Sequence, residues 1–454
     1  MRYLIVGNGV AGTKAAEVIR KRDPKAEITV LSAEEVPFYR RPALVDHLSA
    51  RVPLQSLWGR PEQFYQEQRI DLRLNARATG LDAREHRVEL ASGEVLAYDR
   101  LLLAAGIASA RGYIPGDTLK GIVSLQRLAD LNTIRELAQL ARQAVVIGEG
   151  VIGLEMARAF RELGLPVRYL ISGPRFWSNL FPPEASALIE ERLAAHGVEV
   201  QPEVEAVAFL GRDGRVRAVQ TARGESIPAD LVGLSIAMRP SVPWAEAAGL
   251  QVTNNRVSVD EQLATALPDV FAAGDMVRLP GETAPFGWLR AWHQGVVAGI
   301  NLTGGAAPLR RRTITVSTRA FGMPILAMGD LQPAGRNVKR EHGDYPTDGV
   351  YKELVVADGR LVGALFVGEV SEAGRVEELV RRQVPYAEVD PGLLRALFDV
   401  RYWRGGGSEV LCPVCKFLVQ VGEEAVRSGE LTCPICGAEF LLRLTGDRFM
   451  AVLE

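Results

Sequence analysis

The chain has 454 residues, 45 of them glycine and 4 cysteine, and its 53 Lys and Arg nearly balance 55 Asp and Glu for a net charge of −2. That length suits about three domains, and balanced charge with no basic tail excludes a nucleic-acid footprint. All four cysteines (Cys412, Cys415, Cys433, Cys436) lie near the end, so residues 1–411 hold no redox disulfide, cysteine nucleophile or thiolate-bound cluster.

Residues 2–6 read as a buried strand. Gly7-Asn8-Gly9-Val10-Ala11-Gly12 follows, then a helix over Thr13–Arg22 that Pro24 stops, then a strand at Ile28–Leu31. Lys14, Glu17, Arg20 and Lys21 break up any export signal. Apolar runs such as Leu101–Ala105 fall far below the ~18 residues that span a bilayer. No membrane span is expected, and the cytoplasm is the expected compartment. Arg87–Leu90 and Val216–Thr221 read as strands beside turn residues. Ala144–Ile147 opens a second strand–glycine–helix–strand unit, with Gly148-Glu149-Gly150-Val151-Ile152-Gly153 as its turn and Val167–Ile171 as its next strand. Further on, Val350–Val356 and Leu361–Val367 flank Asp358-Gly359, a hairpin signal. Gly405-Gly406-Gly407-Ser408 reads as a linker.

Each glycine has a job in such a turn. Gly7 permits the tight bend, Gly9 lets backbone approach a pyrophosphate, and Gly12 lets helix and strand pack closely. The helix N-terminus offers free N–H groups to an anion. Glu34, near the end of the second strand, can accept hydrogen bonds from a ribose. In the second unit Gly148, Gly150 and Gly153 repeat the pattern, but Ile171 stands where a ribose-binding acid is expected, with Ser172 and Arg175 close behind. An acid there favours NADH by binding the 2′-hydroxyl; its absence beside Arg175 leaves NADH and NADPH both open.

Several further segments carry a family resemblance. Tyr39-Arg40-Arg41-Pro42-Ala43-Leu44, Tyr98–Gly106, Thr265–Asp275, and Trp288 with Ala291, Gln294 and Gly295 resemble motifs of the two-dinucleotide-domain flavoproteins of the pyridine nucleotide–disulfide oxidoreductase superfamily. The resemblance is strongest to the rubredoxin and ferredoxin reductases and the flavin portion of nitrite reductases. It implies that the first glycine loop holds FAD and the second NADH or NADPH. It also implies that Arg41 and Pro42 flank the isoalloxazine or pyrophosphate, that backbone at Ala78 reads the adenine, and that Ala105 and Gly106 line the flavin. Gly274 and Asp275 would hold the ribityl chain, and Trp288 would lie near the ring. Three positions depart from the family pattern. Ala105 replaces a Thr, Ala237 replaces a Gly near the nicotinamide, and Asp46 replaces the Lys that pairs with Glu155. The resulting Asp46 and Glu155 pair can repel or share a proton. These two acids are the catalytic candidates beside flavin N5. Disulfide reductases of the superfamily carry cysteines beside the flavin, and residues 38–52 here have none. The flavin would therefore exchange electrons directly with an outside partner.

Cys412-Pro413-Val414-Cys415 and Cys433-Pro434-Ile435-Cys436 form a C-x₂-C-x₁₇-C-x₂-C pattern, a four-thiolate metal signal. Zinc and iron both accept such a site. Lys416 follows the first knuckle where rubredoxins usually have Gly, and no Tyr-Asp-Pro segment appears, so the reading is structural zinc with rubredoxin-like iron as the alternative. Phe176 and Trp177 can either cover an adenine or pack in the core.

The expected architecture is α/β: two Rossmann-like dinucleotide-binding domains, an α+β C-terminal interface domain and a small four-cysteine metal ribbon. Its expected boundaries are 1–112 and 242–305 for the FAD domain, 113–241 for the NAD(P) domain, 306–404 for the interface domain and 405–454 for the ribbon. The expected function is an FAD-dependent NAD(P)H oxidoreductase serving a protein redox partner: ferredoxin, rubredoxin or a metalloenzyme subunit. The alternative is a flavin-bound structural or NAD(P)-reducing subunit of a larger metalloenzyme complex. A homodimer or a place in such a complex is expected.

Overall fold

The computed structural model describes residues 1–109, 114–236, 238–280, 287–309, 314–333, 337–345, 349–370, 372–394, 409–412, 418–422, 425, 428–445 and 448–452. Ala237, Arg310-Arg311-Arg312, the 405–408 linker, Cys415 and Lys416 lie outside the described residues. Contacts divide the chain into two compact units. The first comprises Met1–Tyr113, Ser124–Thr133 and Ile236–Arg311; the second comprises Ile114–Val123, Ile134–Ser235 and Arg312–Glu454.

The first unit is built on a five-stranded sheet in which every pairing is parallel. Its order is Val270–Ala272, Arg100–Leu103, Arg2–Val6, Glu27–Leu31, Ile70–Arg73. Four of the strands are short, mostly buried apolar runs, as parallel sheets require, while the edge strand Ile70–Arg73 buries only Ile70. Ile5, Leu101, Leu102, Leu103 and Val30 are completely buried. The chain leaves the first strand in one direction and later returns on its other side, between Arg2–Val6 and Arg100–Leu103. That is a switch point, where ligands of doubly wound sheets bind.

The first helix runs over Val10–Arg22, three residues earlier than the sequence pattern predicts. Gly9 is its N-cap, so the helix begins inside the glycine loop itself. Helix Trp288–Leu302 lies against it. The approach is close because two glycines face the first helix: a Cβ on Gly295 would fall 2.4 Å from Ala11 O, and one on Gly299 would fall 2.9 Å from Ala15 O.

The sequence places Ser124–Thr133 inside the 113–241 domain, whereas it groups with the first unit by its contacts. Three hydrogen bonds anchor it there. Leu128 N donates to Tyr39 OH at 3.0 Å, Arg41 Nε donates to Gln126 O at 3.2 Å, and Ser109 N donates to Gln126 Oε1 at 3.2 Å.

The second unit repeats the parallel architecture in the order Val198–Gln201, Val167–Leu170, Ala144–Ile147, Leu231–Leu234, Ile122–Val123. Its switch point falls between Ala144–Ile147 and Leu231–Leu234. An antiparallel five-stranded sheet over residues 314–367 follows, with Val350–Ala357 and Arg360–Val367 paired as the predicted hairpin. Helix Ala373–Arg382 buries Ala373, Val376 and Val380, and its closest strand partner in that sheet is Arg360–Val367. The sheet is tied to helix Pro183–Ala195, where Arg192 Nη2 donates to Phe321 O at 2.7 Å. The cysteine segment forms a hairpin, Glu409–Leu411 with Leu418–Gln420, and a three-stranded sheet over residues 430–452. Among the described residues no helix is long and apolar enough to cross a membrane.

Gly295→Ala should cost about 1–3 kcal/mol by forcing the two helices of the first unit apart. Thermal unfolding of the variant checks this: an unchanged midpoint would mean that the helices separate at no cost.

Candidate functional site

The first glycine loop is closed by contacts that only glycine allows. Gly7 has φ +117°, and a Cβ there would lie 2.2 Å from Ala104 O; a Cβ on Gly12 would lie 2.0 Å from Gly7 O. Gly9 differs. A Cβ there would meet only Arg41 Nη1, at 3.8 Å. The loop is thus sealed toward the protein and open at Gly9, beneath a guanidinium. Open backbone at a helix N-terminus beside a cation suits a pyrophosphate.

Arg41 belongs to the short turn Arg41–Ala43, with Pro42 fixing its start. Its Nη2 donates to Glu34 Oε1 at 2.5 Å, and Tyr39 OH donates to Glu34 Oε2 at 2.6 Å. Burial is the main cause that pushes the Tyr39 hydroxyl above its ordinary pKa, which keeps it a donor. Glu34 therefore serves two partners of its own unit. Each carboxylate oxygen still has a second acceptor position for a hydroxyl.

The far side of this crevice is built by the turn after Val270–Ala272. Gly274 has φ +89°, and its N–H donates to Gln294 Oε1 at 2.5 Å. Asp275 accepts from Gly287 N at 3.0 Å. It keeps part of its surface open to solvent. Desolvation nevertheless pushes its carboxyl above the ordinary range, against the Gly287 N–H and the charges of Arg290, Arg256 and Arg41. Two buried amide donors, Asn8 Nδ2 in the glycine loop and Gln294 Nε2 on helix Trp288–Leu302, have no hydrogen-bond partner among the described residues. Unmet donors and a raised carboxyl beside an open glycine fit a polyhydroxylated dinucleotide, which would satisfy both.

The remaining expected residues of this unit take varied positions. Trp288 stacks on Phe38, with ring centroids 5.7 Å apart. Gly106 has φ +71° and open space beyond its Cα, next to the half-buried Ala105. Ala78 O accepts from Trp244 Nε1 at 3.1 Å, so its carbonyl is already partly used. Asp46 lies half-buried on helix Leu44–Leu48.

In the second unit the glycine loop has the same logic. A Cβ on Gly153 would lie 2.3 Å from both Gly148 O and Tyr169 OH. Gly150 has φ +141° and nothing within 4 Å of a Cβ. Gly148 has φ +110°. Glu155 is half-buried on helix Val151–Glu162. Ile171 is completely buried, so the usual acid position faces the core. Arg175 donates through Nη2 to Ser178 O at 3.3 Å and Phe181 O at 3.1 Å. Phe176 and Trp177 are buried and pack with Tyr169 and Phe181, which decides for the core role. A residue that the motif pattern passes over, Glu149, reaches across the loop: its Oε1 accepts from Gly173 N at 2.8 Å and Ser172 Oγ at 3.4 Å. An acid between the first two glycines, in a chain lacking one at 171, is the signal that could have found it.

In the ribbon the sulfurs of Cys412, Cys433 and Cys436 lie within 4.8 Å of one another, and Cys412 and Cys436 are 3.5 Å apart. A disulfide requires about 2.05 Å. Four thiolates around one ion at about 2.3 Å sit about 3.8 Å from each other. The spacing fits ligands of a shared metal.

Two parallel sheets, each opening at its switch point on a glycine-lined helix start, define an oxidoreductase of the two-dinucleotide type. Residues 1–298 match the family described as pyridine nucleotide-disulphide oxidoreductase, and residues 318–384 match the rubredoxin NAD+ reductase C-terminal domain. The chain belongs to the pyridine nucleotide-disulphide oxidoreductase family and is a flavoprotein oxidoreductase using FAD and a nicotinamide dinucleotide. It is 32% identical over 390 residues to the biphenyl dioxygenase system ferredoxin–NAD(+) reductase component of Paraburkholderia xenovorans, covering 84% of this chain and 93% of that one. It is 34% identical over 276 residues to the rubredoxin-NAD(+) reductase of Pseudomonas putida, covering 61% and 71%. Among solved structures, a ferredoxin reductase from Rhodopseudomonas palustris superposes with a TM-score of 0.78 at 27% identity, over 88% of this chain and 99% of that one. Neither family match reaches the cysteine ribbon.

Asp275→Ala should weaken FAD retention by about 10–100-fold, the equivalent of a charged hydrogen bond. Flavin content after gel filtration reads this out, and a fully flavinated variant would contradict the assignment. Cys433→Ser should cut metal content from about one ion per chain to a small fraction, with faster proteolysis after residue 408. Unchanged metal content by elemental analysis would remove Cys433 from the ligand set.

Proposed function

We propose that this chain is a reductase that moves electrons between a nicotinamide dinucleotide at Gly148–Gly153 and a protein redox partner, by way of FAD at Gly7–Gly12. The partner is a ferredoxin, a rubredoxin or a metalloenzyme subunit, and the setting is the cytoplasm. The observation that carries this is the pairing of two glycine-lined helix starts with a body free of cysteine over residues 1–411. No thiol can relay electrons from the first site, so they leave to an outside acceptor.

FAD, when bound, supplies a centre that accepts hydride and gives up electrons singly. The chain's own residues hold and shape it. Arg41, braced by Glu34 and lying over Gly9, neutralises the pyrophosphate. Asp275 and the Gln294 amide receive the ribityl hydroxyls. The N-terminus of helix Trp288–Leu302 would offer its positive end to the ring edge, where a reduced flavin carries negative charge. Asp46 in the first unit and Glu155 in the second are the acids assigned to the chemistry at flavin N5. The ribbon holds zinc as a structural ion, because Lys416 and the missing Tyr-Asp-Pro segment depart from the iron-binding pattern; iron would announce itself by a visible thiolate-to-metal band.

Anaerobic addition of NADH or NADPH to the flavin-loaded chain tests the reading. The flavin band near 450 nm should bleach with at least one of them, and adding oxidised ferredoxin or rubredoxin should restore it. A band that neither dinucleotide bleaches would overturn the proposal.

A further inference from the structure

The second glycine loop carries an acid, Glu149, at a variable position of the motif. Glu149 sits between Gly148 and Gly150, and its side chain turns toward the end of strand Val167–Leu170. There Oε1 accepts from Gly173 N at 2.8 Å and from Ser172 Oγ at 3.4 Å. Oε2 makes no hydrogen bond among the described residues. The end of the second strand is where doubly wound sheets receive the adenosine ribose. An acid at the strand end normally fills this role; here that position, Ile171, is buried in the core. The carboxylate arrives from the glycine loop instead.

We propose that Glu149 receives the adenosine 2′-hydroxyl and excludes a 2′-phosphate, so that the chain takes NADH and rejects NADPH. This rests on the reading that Gly148–Gly153 holds a nicotinamide dinucleotide. A carboxylate oxygen with an open acceptor position takes a hydrogen bond from a hydroxyl and repels a phosphate. The surrounding charges reinforce it. Ser172 borders a cavity of about 230 Å³ that is also lined by Glu203, Glu205, Arg223 and Glu225, so acids outnumber bases there. Arg223 lies 3.8 Å from Glu203 and is partly neutralised by it. Arg175, the cation that a 2′-phosphate would need, spends Nη2 on the carbonyls of Ser178 and Phe181. The loop is also held in shape: Tyr169 OH donates to Gly148 O at 3.0 Å beneath Glu149.

Binding of 5′-AMP and of 2′,5′-ADP, measured by calorimetry on the flavin-loaded chain, isolates the ribose contact from turnover. The parent chain should bind 5′-AMP at least about tenfold more tightly than 2′,5′-ADP. Glu149→Gln keeps the shape and the Gly173 contact but removes the charge. It should tighten 2′,5′-ADP by about tenfold or more and weaken 5′-AMP by only a few-fold. The ratio of kcat/KM for NADH over NADPH should fall in step. Equal binding of the two nucleotides by the parent chain, or a preference that Glu149→Gln leaves within twofold, overturns the role of Glu149. Failure of the broader reading looks different: neither nucleotide would bind, and neither dinucleotide would bleach the flavin.

Discussion

The structure depends on a steric constraint at two turns. At Gly7 and Gly12, and again at Gly153, the space a side chain would need is already occupied by backbone at 2.0–2.3 Å. Only a residue without Cβ lets the strand turn directly into the helix. The helix start then lies against the sheet's switch point, with its free N–H groups turned to the crevice. The same principle repeats where Gly295 and Gly299 let helix Trp288–Leu302 settle on the first helix. That contact brings Gln294 within hydrogen-bond reach of Gly274 and so fixes the wall that carries Asp275.

Around those turns, charge is placed by side chains that reach rather than by fixed positions. In the first unit Glu34 comes from the strand end and is bound by Arg41 and Tyr39, which locks the guanidinium over Gly9. In the second unit the acid comes from within the loop, as Glu149, and is bound by the strand-end backbone at Gly173. The two arrangements are mirror solutions to one demand: a carboxylate near the strand end, held by donors of its own unit. Both acids are half-buried, and each is anchored by donors of its own unit.

What is legible in the sequence follows the reach of each signal. The glycine loops, the parallel strands beside them and the Asp358-Gly359 hairpin are local patterns, and their elements appear in the structure within a few residues. The start of the first helix at Val10 escapes the pattern because Gly9 itself serves as the cap. Ser124–Thr133 reads as part of the second domain because nothing local marks its ties to Tyr39 and Arg41, residues distant in sequence. At the sites, position-by-position reading finds Ile171 but not its substitute. Glu149 acts through a side chain that crosses the loop, and a motif records only backbone spacing. Phe176 and Trp177 stay undecided in the sequence because an aromatic pair after a strand suits a ligand or a core; their burial against Tyr169 and Phe181 is a tertiary fact.

The ribbon puts cysteine to a different use. Among the described residues its apolar core comprises Val410, Val419, Val421, Ala425, Ile435 and Phe440. A core of that size in a segment of this length rarely supplies enough burial to offset chain entropy without a staple. The staple is written into the fold, since Cys412 and Cys433 are themselves buried and Cys436 lies beside them. An ion bound by these cysteines would hold them as thiolates and tie the hairpin to the three-stranded sheet. A metal held there would be part of what folds the segment. The cysteines that the main body lacks as redox groups are gathered in the ribbon, spaced as ligands of one ion.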